Sequence, residues 1–198
     1  KGREKLRKKL LSGIVSFALL ASLLAVSMVF ARPDFALGHV DAGKHKGQAG
    51  KSNTAHLYLY EKDPQTWEIV EGGAWGKMKY NLAAPTFDFV FNGHGLEPNS
   101  EYSLIYYIDP GLGPWSEVPD IVILATGTSN GGGNLHLSGS VATGSIPYEE
   151  DDNYSNGGKI WLVLTSDIDT EASTFKWVWN PTEYLFEHDL ITYTETAI

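Results

Sequence analysis

The sequence predicts an all-β fold, a single antiparallel β-sandwich. Three observations carry that prediction. From His56 onward, apolar and polar residues alternate with the two-residue period of a half-buried strand, most cleanly in Phe87-Asp88-Phe89-Val90-Phe91. The runs are short, and clusters of Gly, Pro and Asn separate them. The chain also holds 21 Gly and 12% aromatic residues, a supply of turns and of large rings to fill a core between sheets.

The elements are taken in chain order. Residues 1–31 read as an export signal: six basic residues within the first nine, an uncharged run from Leu10 to Ala31, then Arg32-Pro33. Cleavage is expected after Ala31. The alternative is a membrane anchor, because the run approaches the roughly 20 residues that span a bilayer. Residues 32–55, rich in Gly, Lys and Ala, read as a flexible linker. Its two histidines, His39 and His45, have no third metal ligand at useful spacing. The sandwich is expected over residues 56–198. Strands are predicted at 57–60, 67–70, 76–80, 87–91, 101–108, 121–125, 134–141, 159–165, 175–179 and 190–193. Asn180 is expected to cap one short helical turn that starts at Pro181 and runs to Glu187.

Composition bounds the function. Without residues 1–31, 167 of the 198 residues remain, enough for one domain with its own core. There is no Cys, so no disulfide and no thiol nucleophile. Residues 1–31 hold six of the 15 basic residues and one of the 24 acidic ones, which leaves the remainder at a formal −14. So acidic a surface repels phosphate backbones, and nucleic acid is excluded as a partner. An extracellular protein or a glycan is the expected partner, with membrane contact only through residues 10–31 if these are not removed.

One segment carries a family resemblance. Gly95-Leu96-Glu97-Pro98-Asn99-Ser100-Glu101-Tyr102-Ser103-Leu104 resembles the tyrosine corner of fibronectin type III and immunoglobulin-like sandwiches. The resemblance implies that the Tyr102 hydroxyl bonds back to the backbone at a crossing between sheets. It also implies an immunoglobulin-like or jelly-roll-like architecture. The 96 residues after Tyr102 are far more than a fibronectin-type domain leaves after its corner, so a larger sandwich or another topology is expected. The domain is also similar to exported prokaryotic β-sandwich proteins with a GLEPxxEYxLIYY core, a family from which no activity carries over.

Candidate sites are few. Asp151, Asn153 and Ser155 place oxygens at alternate positions of the acidic loop 149–158, resembling the first half of a calcium-binding loop. Asn153-Tyr154-Ser155 is also a glycosylation sequon. Trp115, in a Gly- and Pro-rich loop, is the candidate for stacking on a sugar ring. His94 sits between Gly93 and Gly95, on a turn from which its ring reaches a ligand or nearby backbone. No HExxH pair or phosphate loop is present. The sequence therefore points to an exported, non-enzymatic interaction or structural module at the cell surface or beyond it, with carbohydrate binding as one form of that role. The alternative is a secreted hydrolase that works through paired carboxylates.

Overall fold

The computed structural model describes residues 52–109, 121–176 and 178–198. The predicted export signal 1–31, most of the predicted linker 32–55, Trp115 and Trp177 lie outside the described residues. Twelve strands succeed one another among the described residues: β1 (Thr54–Tyr60), β2 (Trp75–Asn81), β3 (Ala83–Ala84), β4 (Phe87–His94), β5 (Glu101–Tyr107), β6 (Ile121–Thr128), β7 (Leu135–Val141), β8 (Lys159–Leu164), β9 (Ile168–Asp169), β10 (Thr174–Phe175), β11 (Phe186–Glu187) and β12 (Thr194–Glu195). An antiparallel sheet in the order β11-β1-β2-β4-β7 packs against a second one in the order β6-β5-β8.

Alternation builds the larger sheet. Leu57, Leu59, Met78, Tyr80, Phe87, Phe89, Phe91, Leu135 and Leu137 all point inward and are buried. Tyr102, Leu104 and Tyr106 of β5, Leu124 of β6, and Ile160 and Leu162 of β8 meet them from the smaller sheet. Gly76 makes room for this packing, since a Cβ there would lie 2.3 Å from the Phe91 ring. Strand β5 is buried along both faces from Tyr102 to Tyr107. Its other face carries a second cluster in which Ile105, Tyr107, Trp161, Val163, Phe175, Tyr184 and Phe186 pack together.

The turn before β5 is pinned from several sides. The Glu97 N–H donates to the buried Tyr102 hydroxyl at 3.2 Å. Ser129 accepts from the Ser100 N–H and donates to the Glu97 carbonyl at 2.6 Å. Gly133 closes against Leu96 with φ of 71°, and a Cβ there would fall 2.4 Å from the Leu96 carbonyl oxygen. Tyr102→Phe is therefore expected to cost about 1 kcal/mol, the worth of one buried hydrogen bond. Denaturant unfolding reads that loss, and unchanged stability would show that Tyr102 holds the turn by packing alone.

The C-terminal segment from Leu185 onward closes one side of the molecule. Leu185 exchanges backbone hydrogen bonds with Leu162 of β8, and β11 then pairs with β1. Ile191 pairs with Gly158, Tyr193 with Ile146, and β12 runs parallel to β3. One segment thus stitches both sheets together along the edge where β8 lies beside β1.

Several predicted elements differ. Strand β1 begins at Thr54, two residues inside the stretch read as linker, because Ala55 already pairs with Tyr80. Residues 67–70 form a loop with a single bridge from Ile69 to Lys62. Among the described residues of 175–179 only Phe175 is in a strand. Residues 190–193 make isolated bridges as part of the closing segment. The predicted helical turn shrinks to a 3-10 turn at Pro181–Glu183 without a side-chain cap. Asn180 spends its amide on Asp167 at 2.8 Å instead.

Candidate functional site

The outward face of the larger sheet carries the densest collection of recognition chemistry among the described residues. The same alternation that buries the Leu and Phe side chains turns their neighbours outward, and the register sets them in rows. Tyr60, Trp75 and His94 form one row across β1, β2 and β4. Tyr58, Lys77, Asn92 and His136 form the next, and His56, Lys79, Val90 and Ser138 a third. Columns lie about 4.8 Å apart and rows about 7 Å apart, as strand geometry requires. The Trp75 and His94 rings approach to 4.7 Å, and Tyr58 and Tyr60 stack at 6.3 Å. Lys77 sits 5.4 Å over the Tyr58 ring, and His188 meets Tyr60 edge-on at 5.9 Å.

Two of these histidines have a fixed orientation. His94 Nδ1 lies 2.9 Å from the Asn134 side-chain oxygen, and His136 Nδ1 lies 2.8 Å from that of Asn92. An amide oxygen only accepts, so each Nδ1 carries the proton and donates. In the neutral ring Nε2 is then left as an acceptor. Asn134 is itself held, its amide nitrogen donating to the Gly132 carbonyl at 3.3 Å. The face therefore offers flat aromatic surface together with oriented donors and acceptors.

A second exposed aromatic group lies at the edge. Trp67 is half exposed with φ of 59°, a conformation that strains a bulky residue, and its ring meets Phe186 at 5.1 Å. Trp179 also contacts Phe186, while Trp161 is buried and stacked on Tyr107 at 4.1 Å. The Trp161 indole donates to Glu187. Burial lifts the Glu187 carboxyl above its ordinary 4.5, against the pull of the indole and of Lys62 and Lys159.

That shift has a sign. A carboxyl whose folded value lies above its unfolded one adds stability below pH 4.5 and loses it as pH rises through the raised value. Ionised Glu187 thus weighs against the fold at neutral pH. Glu187→Gln keeps an acceptor for the indole, so it is expected to melt higher than the parent at about pH 7.5, with the gain fading on acidification. A gain that persists in acid would show another cause.

The residues singled out in sequence fall in different places. Asp151 points inward, only 2% exposed, and takes the Tyr106 hydroxyl at 2.7 Å and the Asn153 N–H at 2.8 Å. Asn153 bridges to Asp109 at 3.1 Å, and Ser155 is exposed. Among the described residues no group of three His, Asp or Glu side chains is arranged to hold a metal ion. His94 belongs to the aromatic row. Trp75, Tyr60 and His136 acquired no role in the sequence reading, and only the cross-strand register brings them together. Separately, a cleft of about 160 Å³ beside Tyr102 is lined by Glu61, Glu97 and Glu183.

The chain matches no protein-family model, no curated protein and no solved structure.

Proposed function

We propose that this is an exported, non-enzymatic glycan-binding module that works at the cell surface or beyond it, with the outward face of the larger sheet as its binding surface. The row Tyr60–Trp75–His94 carries the reading. The C–H face of a sugar ring carries slight positive charge, and the negative face of an aromatic ring attracts it. Hydroxyl groups both donate and accept, which suits His94, His136, Asn92 and Lys77 alongside. Placement outside the cytoplasm rests on the basic and apolar segment 1–31.

The strand order supports an immunoglobulin-like reading of the architecture. A constant-type domain has sheets A-B-E-D and C-F-G. If β1, β2, β4 and β7 take the places of A, B, E and D, then β6, β5 and β8 take those of C, F and G. Tyr102 then stands at the start of F, where the tyrosine corner belongs. The C–D pair comes after F along the chain rather than between B and E, a rewiring that also accounts for the long stretch after Tyr102.

The second reading, a carboxylate hydrolase, draws on the cleft lined by Glu61, Glu97 and Glu183. One experiment separates the two. The full chain is incubated with a panel of polysaccharides, and retention and reducing-end release are both measured. Retention without release is expected, with Trp75→Ala losing about 2 kcal/mol of binding, near thirtyfold. Release that disappears on Glu→Gln replacement in the cleft would make the protein a hydrolase instead.

A further inference from the structure

The outward sheet face has a charge pattern that the rest of the described surface lacks. The described residues contain no Arg and five Lys, and two of those, Lys77 and Lys79, stand next to each other on β2 in this face. All four described histidines are here as well: His56, His94 and His136 on β1, β4 and β7, and His188 against Tyr60. The acids among them are Asp88 on β4 and Asp189, 3.0 Å from His188. Asp88 accepts from the Ser140 and Thr86 hydroxyls, which hold its carboxyl below the usual range and keep it ionised. The remaining side chains of the face, among them Tyr58, Tyr60, Trp75, Asn92, Val90 and Ser138, are uncharged. At neutral pH two lysines balance two carboxylates. Protonation of the histidines then adds up to four positive charges on an otherwise acidic protein.

We infer that the ligand of this face is an anionic polysaccharide, held more tightly as the four histidines take up protons. The inference rests on the glycan-binding reading and adds the class of glycan. Aromatic rings in the first row supply stacking, and the lysines and histidines of the next two rows lie about 7 and 14 Å away, within the reach of carboxylate or sulfate groups along a sugar chain. On protonation, Nε2 of His94 and of His136 changes from acceptor to donor, which favours an anion over a neutral hydroxyl. Charges this close act within a Debye length of about 8 Å, so the local island outweighs the distant acids for a bound chain.

The test is retention of the full chain by alginate (carboxylated), dextran sulfate (sulfated), unmodified dextran and polyglutamate, each at about pH 5 and about pH 7.5. Expected is retention by one or both anionic glycans, at least about tenfold tighter at the lower pH and lost in Trp75→Ala and in Lys77→Gln/Lys79→Gln. Which of the two is held more strongly tells carboxylate from sulfate. Equal, pH-independent retention by dextran overturns the inference and leaves the glycan-binding reading standing. Retention by no glycan overturns both. Polyglutamate bound as strongly as alginate, and equally by Trp75→Ala, would reduce the face to a charge patch and overturn the inference. A second readout tracks the His56 ring by NMR. Burial and the neighbouring Lys77 and Lys79 hold its imidazole below the ordinary 6.5. A polyanion over the lysines should raise it, and an unmoved titration with alginate bound would place the ligand elsewhere and overturn the inference.

Discussion

Asp151→Ala is expected to destabilise the protein by about 3 kcal/mol, near the upper end for a single hydrogen-bonded charge. Asp151 is 2% exposed and receives the Tyr106 hydroxyl at 2.7 Å and the Asn153 N–H at 2.8 Å. Tyr106 is fully buried, and its oxygen also accepts the Tyr148 N–H at 3.0 Å. The Ala variant leaves the phenol donor inside the core without an acceptor. In a domain of this size the melting temperature should fall by roughly 10 °C. Tyr106→Phe removes the other half of the pair, and a double-mutant cycle should give clear coupling. Independent, additive losses would show that the two groups act separately. The same variant bears on calcium. A calcium-dependent rise in melting temperature that Asp151→Ala abolishes would assign loop 149–158 to that ion.

Truncation after Tyr184 is expected to leave the chain unfolded. It removes Leu185, Phe186, Ile191 and Tyr193, each no more than 2% exposed. At about 1.5–3 kcal/mol for each buried side chain, the loss rivals the roughly 5–15 kcal/mol of a typical domain. The truncation also uncovers an edge of β1 and of β8 together, with their unpaired backbone groups. Near-ultraviolet circular dichroism of the truncated chain should show no fixed aromatic environment. A cooperative melt would mean that the two sheets hold without their closing segment. Ile191→Ala in the intact chain gives a graded check, with an expected loss of about 2–4 kcal/mol.

Both predictions draw on features with unequal traces in the sequence. Residues 87–91 announce their strand because every second side chain is Phe and the intervening ones face water. The bond from the Glu97 N–H to the Tyr102 hydroxyl is local too, its donor and acceptor only five residues apart. Residues 175–179 show equally good alternation, yet among their described residues only Phe175 lies in a strand, and Trp179 packs against Trp161, Tyr184 and Phe186. These partners sit on β8, at Tyr184 and on the closing segment, which periodicity does not reveal. Residues 190–193 read as a strand, yet they make isolated bridges to Gly158, just before β8, and to Ile146. The outward face of the larger sheet is the least legible. Tyr60, Trp75 and His94 are far apart in sequence and become neighbours through register alone. Asp151 reads as a candidate calcium ligand of an acidic loop, because nothing in its neighbours shows that Tyr106 will draw it inside.

The hydrogen bonds around Leu82 have a topological consequence. Its N–H donates to the Asn53 carbonyl, and its own carbonyl accepts from the Thr194 N–H. Residues 53 and 194 therefore meet at one residue. A host protein could accept residues 53–196 in a single surface loop without prising that loop open. The domain has the makings of a portable cassette, grafted or duplicated as a unit, with both attachment points at one pole.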